Sequence, residues 1–134
     1  MKIIILGSGR VGSTLATILS VEGNDVTIID KNVDSFRRLG KEFNGNTVVG
    51  NGIDAEVLIK AGIEDADIFV STTNGDNTNI MTAQIAKNKF KVKKVLCRIY
   101  DPIRAKAYSE ELNLKTFCPT TFGANILKDM INTE

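Results

Sequence analysis

The sequence predicts an α/β fold, a doubly wound six-stranded parallel sheet with helices on both faces in a single domain, and three observations predict it. Six short segments, 3–6, 26–29, 47–49, 68–71, 95–97 and 116–118, are nearly continuous in apolar residues, as strands covered on both faces must be. Segments with apolar residues at helical spacing separate them, the pattern of βα units in a parallel sheet. The first run leads directly into Gly7-Ser8-Gly9-Arg10-Val11-Gly12, a tight turn opening a helix N-terminus.

Each element follows from its residues. Strand 3–6 leaves through Gly7, which takes dihedrals closed to a residue with a side chain, and Gly12 lets the next helix pack closely on the sheet. That helix is expected to bury Val11, Leu15, Ile18 and Leu19 and to stop at Gly23. Strand 26–29 ends in Asp30, where a carboxylate can accept both hydroxyls of an adenosine ribose. The arrangement is Rossmann-like. Asn32 caps a predicted helix with apolar face Val33, Phe36, Leu39 and Phe43, and strand 47–49 runs into Gly50-Asn51-Gly52. Asp54 caps a short helix closed by Gly62, and after strand 68–71 Asp76 starts a helix through Ile80, Met81, Gln84 and Ile85. Strand 95–97 is followed by Asp101-Pro102 and a helix to Leu112. After strand 116–118 the last helix, from Phe122 to about Asn132, carries Ile126, Leu127, Met130 and Ile131 as a broad apolar stripe. Part of that stripe is expected to cover the sheet and the rest to form a dimer surface. The expected strand order is 3-2-1-4-5-6, with a ligand across the strand ends at the switch point between strands 1 and 4.

Composition narrows the function. A chain of 134 residues fits one domain and is too short for a Rossmann domain plus a catalytic domain. Its net charge of +1 gives no reason to expect nucleic acid as a partner. No apolar run approaches the roughly 20 residues of a membrane span, and no signal peptide opens the chain, so a cytosolic protein is expected. The absence of histidine removes the usual general base, zinc ligand and hydride-transfer partner, and Tyr100 and Tyr108 are not in a Tyr-x-x-x-Lys arrangement. The rival reading, an NAD-dependent oxidoreductase, therefore lacks acid/base machinery, and no enzyme is expected. Cys97 and Cys118 lack C-x-x-C spacing and read as buried, reduced thiols; no metal site is expected.

The candidate site is a nucleotide-binding turn. Gly7, Ser8, Gly9, Arg10, Val11 and Gly12 would offer phosphates the unpaired amides and positive dipole end of a helix, with Gly9 removing a Cβ that would block a pyrophosphate. Arg10 opposes that dipole, a mismatch an anionic ligand repairs. Asp30 repels a 2′-phosphate and so favours ATP, ADP, AMP or NAD over NADP, although Lys31 softens the preference. Asp76 reads either as a ligand contact or as a helix cap, and Arg98 either as a phosphate contact or as half of an interface ion pair. The lysine run over 87–94 reads as a solvated helix end, with contact to Glu64, Asp65 and Asp67 of another copy as the weaker alternative.

With these motifs in place, Gly-Ser-Gly-Arg-Val-Gly at 7–12, Ile-Ile-Asp at 28–30, Val-Val-Gly-Asn-Gly at 48–52, Ala-Gly-Ile-Glu-Asp-Ala-Asp at 61–67, Thr73-x-x-Asp76-x-x-Asn79, Arg98 and Pro119, the chain resembles one family over essentially its whole length. It is similar to the nucleotide-binding lobe of regulator-of-potassium-conductance (RCK or KTN) domains of the TrkA-N type, the cytosolic regulatory subunits of potassium channels and transporters. The resemblance implies a lobe, residues 1–134, that binds NAD(H) or ATP, ADP or AMP without turning it over. It further implies pairing through the last helices, assembly into an eight-lobed ring, and attachment to an integral membrane potassium channel or transporter at the inner face of the membrane. By the same resemblance Gly50 and Asn51 flank the adenine, Thr72, Thr73 and Asp76 close the phosphate side, and Arg10 neutralises the distal phosphates. Relatives usually have Gly-Asp where this chain has Gly50-Asn51. The second, smaller lobe that follows in the family is expected to be absent here.

Overall fold

Hydrogen bonds join six parallel strands into one sheet of order β3-β2-β1-β4-β5-β6 in the computed structural model, which describes residues 1–133. The strands are β1 (Lys2–Leu6), β2 (Asp25–Asp30), β3 (Asn46–Val49), β4 (Ile68–Ser71), β5 (Lys94–Arg98) and β6 (Lys115–Phe117). Five α-helices connect or follow them: α1 (Arg10–Val21), α2 (Ala55–Ala61), α3 (Asp76–Gln84), α4 (Pro102–Glu111) and α5 (Pro119–Asn132). The central strand β1 pairs with both β2 and β4, so that Leu6 stands level with Ile29 and with Ser71. Three strand ends thereby meet at one edge, and the chain direction of winding reverses there.

Alternation along β1 divides the core. Ile4 and Leu6 face a cluster with Ile29, Phe69, Leu58 of α2, Ile80 and Ala83 of α3 and Ala105 of α4. Ile3 and Ile5 face the other cluster, with Val26, Ile28, Val70 and Ala16 of α1. Lys2 closes the far end of β1: Asp67 accepts its backbone N–H at 2.7 Å and Asp65 pairs with its Nζ at 2.9 Å. Two of the three acids offered by sequence to a lysine run on another copy are thus engaged within the chain.

Four elements differ from expectation. Helix α1 turns its small residues, Gly12, Ser13, Ala16, Thr17 and Ser20, to the sheet and leaves Val11 and Ile18 exposed. Close approach of a helix to a sheet selects small side chains, so of the expected apolar face only Leu15 and Leu19 pack against the core, and they do so from its border. The segment capped by Asn32, whose Oδ1 accepts the Asp34 N–H at 3.0 Å, is a short 3₁₀ turn (Val33–Arg38) rather than an α-helix through Phe43. Helix α5 has no buried residue, so its apolar stripe does not cover the sheet. Strand β6 also ends one residue early, which makes Cys118 the N-cap residue of α5, half-buried, while Cys97 is buried as expected.

Candidate functional site

The turn between β1 and α1 is shaped by what a side chain would strike. Gly7 has φ +105°, and a Cβ there would lie 2.9 Å from the Thr72 carbonyl carbon; its N–H donates to Ile29 O at 2.8 Å. A Cβ on Gly12 would collide with the Gly7 carbonyl oxygen and come within 2.7 Å of Thr72 Oγ1. At Gly9, by contrast, a Cβ would meet nothing within 4 Å, because that face opens onto a cleft of about 780 Å³. Gly9 is also the N-cap residue of α1, and no side chain caps the helix and no acid stands in its first turn. The amides there are left for an anion.

Asp30, at the end of β2, holds the turn. One carboxylate oxygen accepts the Ser8 N–H at 2.9 Å and the other the Asn32 N–H at 2.8 Å. Each ionised oxygen retains a lone pair, so the group can brace the turn and still receive ribose hydroxyls. Ser8 itself is buried: its hydroxyl donates to Ser35 O at 3.1 Å and lies 2.8 Å from Ser13 Oγ. Opposite, Gly50 passes its N–H to Asp30 O at 3.1 Å, and a Cβ there would lie 2.7 Å from Val57 Cγ2, so this glycine admits α2. Asn51 Oδ1 accepts the Ile53 N–H at 3.2 Å. An aspartate would make the same bond, so asparagine at 51 leaves the local turn intact.

The second half of the cleft is built from β4, α3 and β5. Thr72 Oγ1 donates to Leu6 O and Gly7 O at 3.0 and 3.1 Å, binding the β4 end to the glycine turn. Asn79, fully buried, accepts from Thr73 N at 2.9 Å and donates to Thr73 O and Arg98 O at 2.9 and 3.0 Å. Arg98 sends Nη1 to Thr72 O at 3.3 Å and rests its guanidinium 4.2 Å from the centroid of the Tyr100 ring. Its Nε is buried with no partner. Burial draws the Arg98 pKa below the ordinary arginine value, and the Asp76 charge partly offsets this.

Of the residues singled out from sequence, Gly7, Gly9, Arg10, Val11, Asp30, Lys31, Gly50, Asn51, Thr72, Thr73 and Arg98 line the cleft. Ser8 and Gly12 are buried behind it. Asp76 is neither in the lining nor a cap: its carboxylate accepts the Tyr100 N–H at 2.9 Å and the Asp101 N–H at 3.4 Å, with Arg104 Nη1 3.9 Å away. Two backbone amides of the β5–α4 connection thus take the carboxylate that a cap would have used.

Sequence reasoning missed Ser35, Arg38, Thr78 and Tyr100, which also line the cleft. Ser35 and Arg38 converge on Ser8, Arg38 Nη1 donating to Ser8 O at 3.4 Å. Winding of three residues per turn brings i and i+3 to one side, so a 3₁₀ reading would have found them. Tyr100 follows Arg98 by two positions, the spacing that returns side chains to one face of an extended chain. In all, Arg10, Lys31, Arg38 and Arg98 line the cleft against one carboxylate, Asp30. Such a surplus suits a polyanion. Among the described residues no group of three or more His, Cys, Asp or Glu could hold a metal ion.

Comparison with known proteins identifies the family and the fold. A family model described as the TrkA-N domain matches residues 3–116. The Trk system potassium uptake protein TrkA of Streptomyces coelicolor is 45% identical over 125 residues, 93% of this chain and 56% of that protein. This chain thus spans little more than half the length of that relative. Among solved structures, the TrkA-N domain of the inner membrane protein ybaL from Escherichia coli superposes with a TM-score of 0.84 at 20% identity, covering 96% of this chain and 95% of the other. The GsuK channel bound to NAD superposes with a TM-score of 0.80 at 23% identity, covering 98% of this chain and 23% of that one. At such identities these superpositions establish the fold.

Proposed function

The chain belongs to the TrkA-N domain family, and from that premise we propose that it is a non-catalytic nucleotide sensor: a regulatory lobe that holds NAD(H) or an adenine nucleotide and controls potassium ion transport through a membrane partner. The single observation that carries this reading is the open face of Gly9 at the uncapped N-terminus of α1, between Arg10 and Asp30. Amides and Arg10 hold phosphates there, Asp30 orients the ribose, and Asn51 borders the base.

The same reading places the protein in the cytoplasm, held at the inner membrane face by a potassium channel or transporter subunit. Among the described residues no helix is long and apolar enough to cross a membrane. Helix α5 exposes Phe122, Ile126, Leu127, Met130 and Ile131, a surface suited to pairing with a second copy in a dimer and, through further contacts, an octameric ring. Gating requires that the ligand favour one ring shape over another, and a difference of a few kcal/mol shifts the population.

Titration calorimetry with NAD⁺, NADH, ATP, ADP and AMP, paired with absorbance at the reduced-nicotinamide band in the presence of candidate substrates, tests the proposal. Tight binding without turnover supports it; indifference to all five compounds, or consumption of one, overturns it. Arg10→Ala is expected to bind ATP and ADP about equally, and persisting discrimination would remove Arg10 as the reader of the distal phosphate.

A further inference from the structure

We infer that Tyr100 is the joint through which the contents of the cleft set the direction of α5, with Thr120 as the outer contact of that joint. The inference rests on the reading of the cleft as a nucleotide site. Tyr100 is tied on three sides. Its N–H donates to Asp76 Oδ1 at 2.9 Å, fixing it to the start of α3. Its carbonyl accepts the Thr120 hydroxyl at 3.0 Å and the Cys118 thiol at 3.5 Å, both at the start of α5. Tyr100 lines the cleft, and its ring supports the Arg98 guanidinium. One peptide therefore touches the ligand wall, the α3 N-terminus and the base of the projecting helix.

Helix α5 is unusually dependent on that base. With no buried residue, it receives little lateral support from the rest of the chain. Its attachments are the Tyr100 carbonyl, the strand bond from Ile99 N to Phe117 O at 3.0 Å, and an edge-to-face contact of Phe117 with Phe122, centroids 5.5 Å apart. A helix of 14 residues is about 21 Å long, so a tilt of about 10° at its first turn moves its far end by about 4 Å. The apolar stripe travels with it.

Arg98 supplies the drive. Its Nε lies buried without an acceptor, so an anion arriving in the cleft offers the bond the protein withholds. Turning the guanidinium toward that anion alters its stacking on Tyr100, the residue whose carbonyl Thr120 grips. Reciprocity follows: whatever holds α5 in one direction biases the affinity of the cleft by the same factor.

Hydrogen exchange of α5 amides in the full chain, read with and without saturating ADP and then NADH, tests the inference. In the wild type the nucleotide that binds is expected to change exchange of amides 120–126 by about fivefold. Thr120→Val, isosteric but unable to donate, should abolish that change while calorimetric affinity stays within about threefold. Tyr100→Leu should also abolish it and Tyr100→Phe should retain it, because the ring and not the hydroxyl faces Arg98. A full response in both Thr120→Val and Tyr100→Leu overturns the inference, as does a wild type whose α5 is unmoved by a nucleotide that binds. Failure of both nucleotides to bind removes the sensor reading together with this one, whereas binding without response removes this one alone.

Discussion

Two β–loop–α junctions meet at the centre of the sheet, and they are built by opposite means. The β1–α1 junction achieves its shape by omission: Gly7, Gly9 and Gly12 let the backbone turn, face the cleft and accept the helix, and its polar braces, Asp30, Thr72 and Arg38, reach in from other segments. The β4–α3 junction achieves its shape by addition, through the side chains of Thr72, Thr73, Asp76 and Asn79 bonded to backbone. The first therefore leaves its amides for a ligand, while the second spends its polar groups on itself. The difference teaches that a residue beside a ligand cleft is available to the ligand only where the fold has not already claimed it.

The sharpest way to break this contrast is at Asn79. Asn79→Ala strips partners from Thr73 N, Thr73 O and Arg98 O, and is expected to cost about 3 to 4 kcal/mol in urea denaturation. A loss under 1 kcal/mol would mean that the second junction is not held by its side chains. Gly12→Ala tests the other junction: the new methyl collides with Gly7 O, a backbone atom, and about 3 kcal/mol of stability should be lost.

Next in size is the pH dependence. Burial holds the Cys97 thiol protonated until about pH 11, against an ordinary value of 9.0. Below pH 9 the thiol is neutral folded and unfolded and contributes no slope. Between about 9 and 11 only the unfolded chain releases the proton, so stability falls with rising pH, by up to about 3 kcal/mol. Cys97→Ala should flatten that part of the profile, and at neutral pH a thiol reagent should label Cys118 but not Cys97 in the folded chain. Equal labelling would show that β5 opens beneath the second junction. The smallest effect on binding is expected at Asp30→Asn, which keeps one acceptor oxygen but sets an NH2 against the second backbone N–H; nucleotide affinity should fall about tenfold in calorimetry, about 1.4 kcal/mol, with a lowered melting temperature. An unaltered affinity would reduce Asp30 to a structural brace.

Legibility followed the same division. The glycine turn and the place of Asp30 were readable because both follow from backbone dihedrals and strand ends, which a local sequence determines. Asp76 read equally well as cap or ligand because its actual partners, the amides of Tyr100 and Asp101, lie 24 and 25 residues away. Arg38 was hidden by a helical pattern over a segment that winds as 3₁₀, and Tyr100 by its place in a connection with no motif.

By itself the sequence determined six strands, their order and the glycine turn, since apolar runs, caps and glycines act over a few residues and parallel connections leave little topological freedom. Tertiary structure alone decided which face of α1 meets the sheet, that α5 stands away from it, and which polar side chains stay free beside the cleft. Those outcomes depend on competition among distant groups for the same surface and the same hydrogen bonds, and such competition is settled only when the chain has closed on itself.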